Sequence, residues 1–236
     1  MKKCFGLFFI LVFCSCSLQK KYQKYNQRFE KEVQKLEHKI DTIGQVDYLL
    51  FIGSSSIRLW DSISQDMKPY NCVKRGYGGA HYYDLIHFVD RLIKGHQNTA
   101  GVVIFIANDI TGKQTKMHND LSPVEVKRLF VNVSKKIKTR LGTETPIFVI
   151  ETTPTPKRWE AWPKIAEAND KIQAYTQKKD NLYYISTRGF YLNEKGVPDK
   201  EFFIDDQLHL NRKGYRLWGD ILKNKINQTL SGISDK

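Results

Sequence analysis

The chain has 236 residues, 41% hydrophobic and 27% charged, which argues against a disordered chain, a collagen-like repeat or a multi-span membrane protein. Lys and Arg number 38 against 25 Asp and Glu, a formal charge of +13 that brings nucleic acid, anionic lipid and acidic glycan into view as partners. Cys4, Cys14 and Cys16 lie at the extreme N-terminus; Cys72 alone remains in the body, so no intrachain bridge staples it.

Lys2 and Lys3 precede the apolar run from Cys4 to Phe13. That run is too short to span a bilayer, which needs about 20 helical residues, and it has the pattern of a secretory signal. Its ending, Phe13-Cys14-Ser15-Cys16, resembles a bacterial lipoprotein signal, with Phe13 where Leu is usual. The expectation is a signal over residues 1–15, lipid attachment at Cys16, and an anchor segment with an amphipathic helix over 16–45. An unlipidated secreted protein is the alternative. Tyr22, Tyr25, Phe29, Val33, Leu36, Ile40 and Ile43 recur in steps of three and four, the stripe of a helix that packs on its own domain in preference to a membrane surface.

After Gly44, strand-like and helix-like segments alternate. Strands are expected over Val46–Ile52, Asn71–Lys74, Gly101–Ala107, Pro146–Glu151 and Leu182–Ser186. Helices are expected over Ala80–Lys94, from Pro123 to Leu141, over Ala161–Lys178, and after Asn211, carrying Tyr215, Trp218, Leu222, Ile226 and Leu230. This order predicts one α/β domain over 46–230, with a five-stranded parallel sheet covered on both faces. In such sheets the working groups gather at the carboxyl ends of the strands. The polar clusters there are Ser54-Ser55-Ser56, Gly76-Tyr77-Gly78-Gly79, Asn108-Asp109, Thr152-Thr153 and Asp205-Asp206-Gln207-Leu208-His209.

Ser55, Asp206 and His209 supply a nucleophile, a base and an orienter in the order Ser…Asp…His. A serine hydroxyl attacks well only when an imidazole takes its proton, and that imidazole needs a carboxylate on its other nitrogen. Singly, each part has an ordinary reading: a serine cluster as helix cap, an Asn-Asp as turn, the glycines as a tight turn lacking the spacing of a phosphate loop. Asp205 is a rival to Asp206 but lacks the Asp-x-x-His spacing. His81, His87 and His118 have no metal-ligand spacing and read as surface or helix residues; Trp60 reads as core.

Four blocks together resemble the SGNH (GDSL-type) hydrolases, in the branch that writes Gly-Ser-Ser. They are Phe51-Ile52-Gly53-Ser54-Ser55-Ser56-Ile57-Arg58-Leu59-Trp60, Arg75-Gly76-Tyr77-Gly78-Gly79, Asn108-Asp109, and Asp206-Gln207-Leu208-His209-Leu210-Asn211. The resemblance covers about residues 46 to 226 and implies a flavodoxin-like three-layer α/β/α sandwich with no metal or organic cofactor. It implies Ser55 as nucleophile, His209 as base and Asp206 as third member. It further implies an oxyanion site from the Ser55 and Gly79 N–H groups and the Asn108 amide. Two positions depart from the pattern: Ser54 replaces Asp, and Ile106 stands where Gly is usual, which puts the set of Asn108 in doubt.

Arg158, Trp159 and Trp162 follow strand four and are expected to contact substrate, since aromatic faces and guanidinium forks suit sugar rings and acidic groups; a structural Trp pair is the alternative. The expected activity is a serine esterase releasing short acyl groups, acetyl foremost, from a carbohydrate or small-molecule ester at the cell envelope. An O-acetyltransferase sharing the acyl-enzyme and a non-catalytic lipid-anchored binding protein are the alternatives. No nucleic-acid partner is expected, because the lysines are dispersed and no nucleic-acid motif accompanies them.

Overall fold

The computed structural model describes residue 22 and residues 25–39, 47–113 and 120–234. The expected signal, Cys16, Ile40, Ile43 and His118 lie outside the described residues.

Among the described residues, five strands form one sheet: β1 (Tyr48–Gly53), β2 (Asn71–Gly76), β3 (Gly101–Phe105), β4 (Ile147–Ile150) and β5 (Leu182–Ile185). Their order is β2-β1-β3-β4-β5, and each neighbouring pair is parallel. The central strands read Leu-Leu-Phe-Ile and Val-Val-Ile-Phe because both their faces are buried.

Side-chain alternation divides the core in two. Leu50, Ile52, Val102, Ile104, Ile147 and Val149 face one layer; Leu49, Phe51, Val103, Phe105, Phe148 and Ile150 face the other. The first layer holds α1 (Glu30–Glu37), α4 (Tyr82–Leu92), α5 (Pro123–Leu141) and α6 (Trp162–Thr176). The second holds the short helices α2 (Ser55–Arg58) and α3 (Ile63–Asp66) with the long α7 (Arg212–Ser234). The result is the three-layer α/β/α sandwich expected from the sequence.

Local chemistry sets the helix ends. Ser122 and Glu125 form a reciprocal capping box before Pro123, and Asn211 Oδ1 accepts the Gly214 N–H at 3.0 Å. Helix α4 starts at Tyr82, two residues later than expected, because His81 is extended and takes the cap position. The N-terminal stripe is a 3-10 turn (Gln27–Phe29) followed by α1. Tyr22, Phe29 and Val33 are buried against α4, and Arg91 of α4 ties down Glu30 at 2.8 Å and Glu37 at 2.5 Å. Among the described residues no helix is long and apolar enough to cross a membrane.

The strand order reverses direction at β1. The chain leaves β1 for β2 on one side and returns to β3 on the other, opening a crevice beyond their carboxyl ends.

Candidate active site

Strand β1 ends in a turn only glycine permits. Gly53 has φ +141°, and a Cβ there would stand 2.0 Å from the Phe105 carbonyl oxygen. The Ser54 N–H donates to that same oxygen at 2.9 Å, so the loop after β1 is stitched to the end of β3. Ser55 therefore opens α2 at the mouth of the crevice, and the Tyr215 hydroxyl holds the Ser56 carbonyl at 2.9 Å.

The other half of the site comes from the segment before α7. A bridge between Phe203 and Leu210 closes it, and Gln207 turns the chain with φ +57°. Asp206 Oδ1 accepts the Leu208 and His209 N–H groups, each at 2.9 Å. Its Oδ2 lies 2.6 Å from His209 Nδ1, and His209 Nε2 lies 2.9 Å from Ser55 Oγ. A carboxylate accepts only, so Nδ1 carries the imidazole proton and Nε2 faces the serine hydroxyl as acceptor. Burial works to raise the Asp206 carboxyl, but the His209 and Leu208 donors outweigh it and hold it below its usual value. Asp205 is exposed on the same turn; the carboxylate that reaches His209 is that of Asp206.

Gly79 follows β2 with φ +75°. Its neighbour Ala80 accepts a hydrogen bond from Asn108 Nδ2 at 3.0 Å, which sets the glycine loop beside the end of β3. Helix α1 and the 3-10 turn before it cover this loop from outside: Glu32 Oε1 accepts the Gly78 N–H at 3.0 Å, and the Phe29 ring lies 3.7 Å from where a Gly79 Cβ would be. The Ile106 side chain is buried in the opposite core layer. It is not among the residues that line the cleft at Ser55.

The cleft joins Ser55, His209, Asn108 and Arg158 to an apolar lining of Phe105, Phe203, Leu210 and Trp218. Of the three residues expected to contact substrate, Arg158 lines it; Trp159 and Trp162 do not. The two indoles stack on each other at 6.0 Å, and the Arg188 guanidinium lies 5.6 Å over Trp162. Arg158 itself is engaged: its guanidinium donates to the Ala107 carbonyl and, at 2.7 Å, to Asn108 Oδ1. No spacing in the sequence links those two positions.

Behind the site lies a buried acidic pair. Asp109 accepts the Tyr82 N–H at 3.1 Å, and Asp84 accepts the His81 N–H at 2.9 Å and the Tyr77 hydroxyl. Burial pushes Asp84 up to about 8 and Asp109 up to about 7. Of the histidines read as surface or helix residues, His81 is buried as the cap of α4 and His87 is exposed on that helix. Trp60 is core, its indole N–H on Asp66 at 2.8 Å. Among the described residues no cluster of His, Cys, Asp and Glu could hold a metal ion.

Several solved structures resemble this chain along nearly their whole length. A candidate platelet activating factor protein from Streptococcus pneumonia superposes with a TM-score of 0.67 at 20% identity, over 91% of this chain and 99% of its own. A GDSL-like lipase from Bacteroides thetaiotaomicron gives 0.59 at 18%, over 91% and 98%. An acetyl xylan esterase gives 0.61 at 18%, over 75% of this chain and 98% of its own. No family model matches the chain, and no curated protein matches it by sequence. The fold is that of the SGNH (GDSL-type) hydrolases, with a Ser-His-Asp relay lying at the switch point of its sheet.

Proposed function

We propose that the chain is a serine esterase that removes short acyl groups, acetyl foremost, from a carbohydrate ester. The observation that carries this reading is the unbroken relay from Ser55 Oγ through His209 to Asp206, at 2.9 and 2.6 Å, opening on a cleft that also contains Asn108. Ser55 Oγ attacks the acyl carbon while His209 Nε2 takes its proton. The ester C–O bond then breaks, and His209 returns that proton to the departing alcohol oxygen. Water attacks the acyl-enzyme by the same route and releases the carboxylic acid. Negative charge gathers on one oxygen, where the Ser55 and Gly79 N–H groups and the Asn108 amide are the donors. The preference for short acyl groups is in line with the acetyl xylan esterase among the neighbours. We place the enzyme outside the cytoplasm, held at a membrane surface through a lipidated Cys16.

A fluorophosphonate probe should label Ser55, and Ser55→Ala should abolish both labelling and p-nitrophenyl acetate hydrolysis, apart from slow residual turnover. Labelling at Ser54 or Ser56 would remove the assignment. Acetylated xylo-oligosaccharides incubated with free glycan acceptors then separate acetate release from acetyl transfer.

A further inference from the structure

We propose that Arg158 is a positioning residue of the oxyanion site, fixing the Asn108 amide so that one N–H of Nδ2 is aimed at the acyl oxygen in the transition state. This rests on the esterase reading above and assigns Arg158 to catalysis through Asn108 in place of substrate recognition.

The Asn108 side chain has two ends, and its neighbours decide which way round it lies. The Arg158 guanidinium, a donor only, sits 2.7 Å from Oδ1, and the Ala80 carbonyl, an acceptor only, sits 3.0 Å from Nδ2. A flipped amide would set donor against donor and acceptor against acceptor, losing both bonds. It would also turn lone pairs toward the place where negative charge develops. The second Nη of Arg158 donates to the Ala107 carbonyl, so the fork grips the backbone beside Asn108 as well as its side chain. A cation on Oδ1 also draws electron density from the amide and strengthens its remaining N–H as a donor. Burial lowers the guanidinium to about 10, against the pull of Asp120 and Asp109, which leaves it charged at neutral pH.

The residue before it ties the same segment to the relay. The Lys157 N–H donates at 3.0 Å to the carbonyl of Gln207, inside the turn that holds Asp206 and His209. One dipeptide thus sets the oxyanion amide and the base turn relative to each other. A displacement of about 1 Å at such a site costs on the order of 10²-fold in rate.

The test is a double-mutant cycle on the full chain with p-nitrophenyl acetate. Arg158→Ala should lower kcat about 10- to 100-fold with KM nearly unchanged, and Arg158→Lys should lie between it and the wild type. Asn108→Ala should lose about 10²–10³ in kcat. The double variant should fall little below Asn108→Ala alone, because the arginine then has no amide to set. Should Arg158→Ala unfold, as thermal melting would reveal, the cycle is run with Arg158→Lys. Losses that multiply in the double variant, or a raised KM with kcat kept, would overturn the assignment and return Arg158 to substrate contact. A wild-type chain that neither turns over nor labels at Ser55 would overturn the esterase reading, and this assignment with it.

Discussion

Asp205 and Asp206 differ by one position, and both are exposed on the turn before α7. Only Asp206 meets His209, because the left-handed Gln207 folds the turn so that residues three apart share a face. Asp206→Asn should therefore reduce kcat by up to about 10⁴, since an amide no longer enforces the tautomer that leaves Nε2 free to accept. Asp205→Asn should change kcat less than about threefold by the same reasoning. Steady-state kinetics of the two variants checks this, and a reversed ranking would make Asp205 the orienter. The Asp-x-x-His spacing was legible in the chain. The engagement of Arg158 with Asn108 was not, because it joins positions fifty residues apart through a fold that no local pattern encodes.

At the scale of elements, α1 is the outer wall of the glycine loop. Its stripe reads as amphipathic in the sequence, but a stripe does not say what covers it. In the fold, Phe29 packs on Tyr77 at a ring separation of 5.2 Å, and Tyr22 stacks on Tyr83 at 4.3 Å. Phe29→Ala removes a ring that is only 4% exposed, for which a loss of about 3–5 kcal/mol is expected. Denaturant unfolding of the two proteins measures it. A loss below about 1 kcal/mol would mean that α1 detaches without disturbing the rest of the core. The strands were the more legible elements, since continuous runs of Val, Ile, Leu and Phe bounded by glycine suit a sheet buried on both sides. Helix starts shifted where a side chain other than the usual cap residues, His81, took the cap.

At the scale of the molecule, the buried acids make stability depend on pH. Asp84 and Asp109 are raised to about 8 and about 7, and His81 is lowered to about 4, chiefly by burial. Below their unfolded values, near 4, the two acids are protonated in both states and their contribution is complete. Above that, the unfolded chain ionises while the fold keeps both protons, so stability falls as pH rises toward 8. His81 offsets one of the two below about 6.5, which makes the decline steepest above that value. Asp66, Asp90 and Asp206, all lowered, contribute above the usual carboxylate range and lose that contribution in acid. The melting temperature should therefore be higher at pH 5 than at pH 8. Asp109→Asn, whose amide oxygen still accepts the Tyr82 N–H, should flatten the difference. A melting temperature that rises over this interval would refute the reading of the pair.

The expected anchor belongs to the same scale. Cys16→Ser should move the protein from the membrane pellet to the soluble fraction without changing esterase activity, because a stable anchor needs more than one acyl chain. A free, unmodified N-terminus found by mass spectrometry would make the protein a secreted one.

The chain by itself determined the class of fold and the three residues of the relay. Strand runs and helix stripes are local properties that burial writes into the order of apolar residues, whereas the roles of Ser55, Asp206 and His209 were implied by the resemblance of their blocks to the SGNH hydrolases. What only the tertiary structure decided is which partners the side chains near the site have within the fold. Arg158 and the two indoles look alike in sequence as substrate contacts. In space the guanidinium is bound to Asn108 and the indoles are stacked on each other. Ile106, two positions before Asn108, turns into the core layer on the other side of the sheet. A side chain's partners come from elements distant in the chain, and the closing of the sheet decides which of them it meets.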